Sequence, residues 1–204
     1  MIKTLIFDLG GVLIDWNPDY VFRELIPDEA KRSYFFSHIC THDWNLEQDA
    51  GRSLSEATEL LVRQFPEWEA EIVAYYGRWH DMLGEPDYGT LDLLKKAIDH
   101  PDYQVLALTN WAAETWDWVL KIERFQFLHW FDGVVVSGQE KVRKPYPEIY
   151  QILLNRYAIQ PETAVFTDDN FANVEAAKTH GIHGVHFQTS AQLRQELINM
   201  GVFL

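Results

Sequence analysis

Four short polar segments hold the residue types that could do chemistry, and each follows an apolar run that predicts a buried strand. They are residues 8–11 (Asp-Leu-Gly-Gly), 109–110 (Thr-Asn), 144–145 (Lys-Pro) and 168–170 (Asp-Asp-Asn), of which the lysine follows its run by several residues. Ligands bind outside the carboxyl ends of the strands in open parallel sheets. Segments more than 100 residues apart in the chain would therefore meet in one crevice.

Three carboxylates, those of Asp8, Asp168 and Asp169, would stand within a few ångströms of one another in such a crevice. Two like charges about 4 Å apart repel by about 4 kcal/mol at an effective dielectric constant of about 20. A hard divalent cation removes this repulsion, and Mg²⁺ prefers oxygen ligands. The acidic residues therefore predict a magnesium site, with Mg²⁺ as the cofactor.

Hydrogen-bond donors and one positive charge accompany the acids, in Thr109, Asn110 and Lys144. Donors and a cation that face a metal-bound carboxylate suit a phosphoryl group, whose oxygens must be neutralised during transfer. A carboxylate can also serve as the covalent nucleophile in this chemistry. The combination indicates phosphoryl transfer.

The elements that must position these residues alternate along the chain. Apolar runs too short for helices predict strands at residues 4–7, 103–108, 133–136, 164–167 and 184–187. Segments with helical spacing lie between them, for example one that begins at Pro147 and one that ends at His180-Gly181. This alternation predicts an α/β fold with a parallel sheet covered on both faces.

One segment, residues 16–85, breaks the alternation because it has several helix starts and no good strand candidate. Ser53 and Glu56, for example, have the spacing of a capping box. We therefore expect residues 1–15 and 86–204 to form the catalytic core, and residues 16–85 to form a helical insertion after the first strand.

Composition narrows the class of protein. The 204 residues carry a formal net charge of −14, which repels phosphate backbones and anionic lipids, so we expect neither nucleic acid nor a membrane as a partner. A single cysteine, Cys40, and the absence of a signal-peptide or membrane-spanning pattern predict a cytoplasmic location. Both a monomer and a homodimer are compatible with the sequence.

The four segments, in this order and at these spacings, resemble the motifs of the haloacid dehalogenase (HAD) superfamily of hydrolases. The likeness lies in residues 7–12, 108–110, 143–145 and 166–170, and it spans nearly the whole chain. It is nearest to the phosphatase branch that includes α-D-glucose-1-phosphate phosphatase. The resemblance implies a Rossmann-like core with an inserted α-helical cap. It also implies Mg²⁺-dependent hydrolysis of a small phosphorylated metabolite, with sugar phosphates favoured.

The resemblance also implies roles for individual residues. Asp8 would be the nucleophile that forms an aspartyl-phosphate. The magnesium ligands would be Asp8, the carbonyl of Gly10, Asp169 and, through water, Asp168. The residues that hold the phosphoryl group would be the backbone N–H of Gly11, Thr109, Asn110 and Lys144, whose charge would balance the phosphate and the nucleophile.

The sequence says less about which residues form the substrate pocket. Residues 42–51, which include Trp44, are similar to the substrate-specificity loop of the family's cap. Trp111 follows the phosphate-binding pair and would form part of the pocket wall. We therefore expect both tryptophans to contact the substrate, although plain packing is an equally good reading of Trp44.

One position departs from the family pattern. Most phosphatases of the superfamily have a second Asp two residues after the nucleophile as general acid and base, and here that residue is Gly10. The loss of a positioned acid typically slows the reaction about 10²–10⁴-fold. Asp15 is a weak candidate to supply the proton through water.

Two other functions stay open. The first is a metal-independent 2-haloacid dehalogenase, with which Gly10 is compatible and the adjacent pair Asp168-Asp169 is not, because uncompensated carboxylates would repel a carboxylate substrate. The second is a catalytically idle domain used for protein contact, which the intact nucleophile, lysine and acidic pair disfavour.

Overall fold

The computed structural model describes residues 1–202 and contains a five-stranded parallel sheet with the strand order β5-β4-β1-β6-β7. The strands are β1 (Thr4–Phe7), β2 (Ile14–Trp16), β3 (Leu83–Pro86), β4 (Gln104–Thr109), β5 (Gly133–Val136), β6 (Ala164–Asp168) and β7 (His183–His186). The predicted α/β class and all five predicted core strands are confirmed.

Helices cover the sheet and form most of the rest of the chain. They are α1 (Asp19–Leu25), α2 (Glu29–Tyr34), α3 (His42–Asp49), α4 (Leu54–Gln64), α5 (Glu69–Gly77), α6 (Tyr88–Asp99), α7 (Ala113–Val119), α8 (Ser137–Glu140), α9 (Pro147–Arg156), α10 (Phe171–Thr179) and α11 (Ser190–Asn199). None of the helices within residues 1–202 is long and apolar enough to cross a membrane.

The register of the central strand brings the polar segments together. In β1, Phe7 lies beside Ala107 of β4 and Thr167 of β6. All four residues of β1 are buried, which explains why the strand is apolar on both faces. Asp8, which follows β1, therefore emerges between the carboxyl ends of β4 and β6.

The segment between β2 and β3 consists of helices and short loops, and its aromatic side chains pack together within the main hydrophobic core. The Phe22 ring lies 4.9 Å from Phe35, 5.2 Å from Phe36 and 5.9 Å from Tyr75, measured between ring centres. The two short strands β2 and β3 pair antiparallel at its base. This ribbon was not predicted from the sequence, because Asp15 in β2 and Gly84 and Glu85 in β3 interrupt any apolar run.

Two kinds of contact fix this helical segment on the sheet-bearing part. The Trp79 ring packs edge-on against Trp111, with ring centres 5.5 Å apart. The backbone N–H of Leu54, at the start of α4, donates to the Glu114 carboxylate of α7 at 3.1 Å. The Ser53 side chain caps α4 by accepting from the Glu56 N–H, as its spacing predicts.

Gly138, in α8, provides a test of how closely this helix packs against the loop after β4. A Cβ atom on Gly138 would lie 2.5 Å from the Ala113 nitrogen and 2.7 Å from the Trp111 carbonyl oxygen. We expect Gly138→Ala to lower the free energy of unfolding by about 1–3 kcal/mol in urea denaturation, because backbone must move. Gly77→Ala, whose Cβ would meet nothing within 4 Å, is the control and should not destabilise the protein. Equal behaviour of the two variants would contradict the packing described.

Candidate active site

The chemistry-bearing residues meet at the carboxyl edge of the sheet. Asp8 follows β1, Thr109 ends β4 and Asp168 ends β6. One carboxylate oxygen from each of Asp8, Asp168 and Asp169 lies within 4.8 Å of the other two. The chain segments that the sequence predicted to converge do so.

A buried ammonium group holds this cluster together. Lys144 Nζ lies 2.9 Å from Asp8 Oδ1 and 2.6 Å from Asp168 Oδ2, and it donates to the Leu108 carbonyl at 2.9 Å. The lysine side chain is fully buried. An ammonium group has three donors, and all three are satisfied here.

The Asp168 carboxylate is committed to positioning. Besides Lys144, it accepts from the Asn170 backbone N–H at 2.7 Å and from Asn173 Nδ2 at 3.1 Å. Asn173 is buried at the start of α10, and the sequence alone did not assign it to the site. These contacts orient Asp168 towards Lys144, and its predicted contact with the metal through water stays a prediction.

Asn110 lines the cavity and also positions Lys144, while its predicted contact with the phosphoryl group stays a prediction. Its Oδ1 accepts from the Lys144 backbone N–H at 2.8 Å, and its Nδ2 donates to the Lys144 carbonyl at 3.0 Å. Both ends of the side-chain amide are used, because the loop that carries Lys144 must be tied to the end of β4. Asn110 is therefore a positioning residue.

Gly11 also departs from its predicted role. Its backbone N–H donates to the Ile14 carbonyl at 2.9 Å, so it does not face a ligand. The residue has φ +72°, and a Cβ atom there would lie 2.4 Å from Asp169 Oδ2. The glycine is required because the turn after β1 passes directly against Asp169.

A cavity of about 410 Å³ opens over the acidic cluster. Its floor includes Asp8, Gly10 and Asp169, and one wall is formed by Trp111, as expected. Trp44, the other expected tryptophan, does not line it. Trp44 packs its ring 5.2 Å from Tyr75 instead, because its side of α3 faces α5.

The opposite wall of the cavity comes from the helical segment. Its residues include several that the sequence had not singled out, and they are Asn45, Leu46, Asp49, Tyr76 and Trp79. Sequence spacing gives no sign of which cap residues face the core, since this depends on how the helices pack. Asp15 is exposed, accepts a hydrogen bond from Tyr20, and does not line the cavity.

The floor fits a divalent cation and a phosphoryl group. Its donor set is composed of carboxylate oxygens, which Mg²⁺ prefers. The Thr109 hydroxyl is buried and has no hydrogen-bond partner within the described residues. An unpaired buried hydroxyl is costly, so a polar ligand at this edge would be favourable for Thr109, which does not itself line the cavity.

The electrostatics of the floor also favour a cation. Burial raises the pKa of Asp8, and the Asp168 and Asp169 charges add to this, while Lys144 opposes it. Burial and the Asp168 charge likewise raise the pKa of Asp169. One ammonium group therefore does not neutralise three acids, and a further positive charge would.

Comparison with known proteins agrees with this geometry. A family model described as haloacid dehalogenase-like hydrolase matches residues 2–181. The chain belongs to this hydrolase family. The resemblance that the motifs carried is thereby confirmed for the family.

Relatives and solved structures point to phosphatases. A phosphorylated carbohydrates phosphatase of Thermotoga maritima is 38% identical over 192 residues, covering 90% of this chain and 84% of that protein. A sesquiterpene phosphatase of Aspergillus oryzae is 27% identical over 197 residues, and the match covers 96% of this chain and 94% of that protein. These names support the phosphatase branch in general rather than glucose-1-phosphate phosphatases in particular.

Among solved structures, a HAD family enzyme of Bacteroides thetaiotaomicron in complex with magnesium and inorganic phosphate has a TM-score of 0.72 and 26% identity. The match covers 93% of this chain and 96% of that one. An L-2-haloacid dehalogenase of Xanthobacter autotrophicus shares the fold, with a TM-score of 0.64, 19% identity, and coverage of 100% of this chain and 85% of that one.

Removal of the buried ammonium tests the electrostatic account. We expect Lys144→Met to lower the free energy of unfolding by about 3–5 kcal/mol, because it leaves buried carboxylates uncompensated. Lys95→Met, which removes an exposed lysine paired with Asp99, should cost less than about 1 kcal/mol. Urea denaturation of both variants measures the difference.

The penalty in Lys144→Met should depend on pH. Without Lys144, which lowers the pKa of Asp8, that pKa rises further above its value in the unfolded chain. In the wild-type protein burial already raises the pKa of Asp8 to about 8, so the two proteins bind different numbers of protons only above that pH. The penalty should therefore grow as the pH rises above about 8, and a penalty of equal size at a pH of about 6 and about 9 would contradict this electrostatic origin.

Proposed function

We propose that this protein is a Mg²⁺-dependent phosphomonoester hydrolase that forms an aspartyl-phosphate on Asp8. The observation that carries the proposal is the buried contact of Lys144 Nζ with Asp8 Oδ1 at 2.9 Å, in the cavity that Asp169 also lines. A carboxylate oxygen that lines the cavity is therefore in direct contact with a buried cation. Such an arrangement suits attack on phosphorus, where negative charge must be neutralised.

The metal would be held by the Asp8 carboxylate, the Gly10 carbonyl and Asp169, with Asp168 acting through water. When bound, Mg²⁺ supplies positive charge that lowers the repulsion between the nucleophile and the phosphoryl oxygens. Asp169 is the most available of the acids, since Lys144 and Asn173 occupy Asp168.

The other residues of the site bind and orient the phosphoryl group. Thr109 donates its hydroxyl to a phosphoryl oxygen. Lys144 neutralises the charge shared by Asp8 and the phosphate. Asn110 fixes the Lys144 backbone and thereby keeps the ammonium group in place. Asp8 attacks phosphorus, and water then hydrolyses the aspartyl-phosphate.

The helical segment, residues 16–85, acts as a cap over this site. Trp16, Tyr76 and Trp79 line the cavity from the segment, whereas Asp8 and Trp111 line it from the sheet-bearing part. An enclosed site limits access of bulk water during the first transfer. The substrate would therefore be bound between the two parts.

We propose small phosphorylated metabolites, with sugar phosphates favoured, as the substrates. A cavity of about 410 Å³ is in the size range of small-molecule sites. Its wall combines indole rings, which can stack on a sugar face, with the polar side chains of His42 and Asn45. The name of the Thermotoga maritima relative, a phosphorylated carbohydrates phosphatase, supports the same class.

Phosphate release tests the function directly. With p-nitrophenyl phosphate and a panel of sugar phosphates, we expect release of inorganic phosphate that requires Mg²⁺ and stops in EDTA. Halide release from 2-chloropropionate is measured in parallel. Release of halide that is insensitive to EDTA would favour the dehalogenase alternative, and no turnover of any substrate would favour the idle domain.

Substitution of the nucleophile separates catalysis from folding. Asp8→Asn keeps the size of the side chain and removes its nucleophilic charge, so we expect phosphate release to fall below detection. Thr109→Val removes one donor to the phosphoryl group and should lower kcat about 10²–10³-fold. Thr58→Val, on the cap helix α4, is a matched control and should keep full activity, since its hydroxyl bonds only the Leu54 carbonyl.

A further inference from the structure

The proposed reaction lacks an evident proton donor for the leaving group. Gly10 stands where most family phosphatases have the acid, and no side chain reaches the cavity from that position. Asp168 is engaged by Lys144 and Asn173, and Asp169 is a proposed metal ligand. An alkyl alcohol leaves slowly as an alkoxide, so a protonated group elsewhere on the cavity wall would accelerate the first step.

Asp49 is the acid that the structure brings to the opposite wall of the same cavity. It is the last residue of α3, is nine-tenths buried, and lines the cavity with Asp8 and Asn110. The backbone N–H of Ala112, in the loop after β4, hydrogen-bonds to its carboxyl group. Within residues 1–202, no lysine, arginine or histidine nitrogen lies within 4.0 Å of this carboxyl group.

The surroundings of Asp49 poise it for proton transfer near neutral pH. Burial raises its pKa to about 7, and the charges of Arg143 and Lys144 with the Ala112 N–H limit the rise. Tyr75 and Tyr76, from α5, also interact electrostatically with it, and burial raises the pKa values of their hydroxyls, so they stay neutral. General acids work best when their pKa is close to the working pH.

We propose that Asp49 is a catalytic residue that donates the proton to the leaving group and then accepts one from water. This inference rests on the proposed function. It assigns to the cap the acid–base role that the residue at position 10 has in related enzymes. Closure of the cap over a substrate would then also complete the catalytic machinery.

The two steps balance. In the first, an Asp8 carboxylate oxygen bonds to phosphorus, the bond to the ester oxygen breaks, and that oxygen keeps the electron pair and takes the Asp49 proton. In the second, a water oxygen bonds to phosphorus, Asp49 takes one water proton, and the bond from Asp8 to phosphorus breaks with its electrons returning to Asp8. The departing alcohol and the incoming water use the same side of phosphorus, opposite Asp8, so one residue can serve both.

The test compares two leaving groups in Asp49→Asn and in the wild-type protein, with Mg²⁺ present. For a simple alkyl phosphate, we expect kcat/KM to fall about 10²-fold or more. For p-nitrophenyl phosphate, kcat/KM should fall less than about threefold, since p-nitrophenolate departs without a proton. The second step should slow for both substrates, so p-nitrophenolate should appear in a burst while the aspartyl-phosphate accumulates.

The pH profile is a second readout. For the alkyl phosphate, kcat/KM of the wild-type protein should fall as the pH rises through about 7, because Asp49 must be protonated. In Asp49→Asn, kcat/KM should not show this fall with rising pH. Asp49→Glu, which keeps an acid, should retain more activity on the alkyl phosphate than Asp49→Asn, and this arm separates acid–base chemistry from a loss of folding.

Asp43→Asn, the same change on an exposed residue of α3, is the control and should match the wild-type protein. Equal losses on both leaving groups in Asp49→Asn, without a burst, would overturn the inference. So would a leaving-group-selective loss in His42→Gln in place of Asp49→Asn, since His42 lines the same cavity. If the wild-type protein released no phosphate from either substrate, the proposed function would fail and this inference with it.

Discussion

A buried ammonium group between two carboxylates is the interaction on which the rest of the site depends. Transfer of a charge from water to a protein interior is costly, and Lys144 meets this cost with contacts to Asp8, Asp168 and the Leu108 carbonyl. These partners lie at the carboxyl ends of three different strands of the sheet, Leu108 being the last residue but one of β4. The fold and the site are thus specified together, because the sheet must form for the charge to be buried without a large penalty.

Around this centre, some residues hold Lys144 and Asp168 in place, and others face the cavity. Asn110 bonds the Lys144 backbone and Asn173 bonds the Asp168 carboxylate, so both hold other groups in place. Asp169 faces the cavity, and no hydrogen bond or ion pair to another of the described residues occupies its carboxylate. The cap contributes the remaining wall, and with it Asp49, so the chemistry proposed for this chain would be shared between two parts that the short ribbon β2–β3 joins.

Much of this could be predicted from the sequence, and the limits have physical reasons. The apolar runs and the polar residues after them predicted the sheet and the convergence of Asp8, Lys144 and Asp168. This was possible because the carboxyl ends of all strands in a parallel sheet lie at the same edge. The partner of an amide or a backbone N–H is set by loop geometry, so the contacts of Asn110 and Gly11 were not predictable. Trp44 and Asp49 lie on different sides of α3, and only helix packing determines which side faces the cavity.

The central claim is that Asp8 takes a phosphoryl group onto its own carboxylate. Rapid quenching of the Mg²⁺-loaded protein during turnover of p-nitrophenyl phosphate, followed by peptide mass spectrometry, tests it most directly. The account predicts that the peptide carrying Asp8 gains the mass of one phosphoryl group and that this adduct is absent in EDTA. A turning-over enzyme whose Asp8 peptide stays unmodified, or whose adduct lies on another residue, would contradict it.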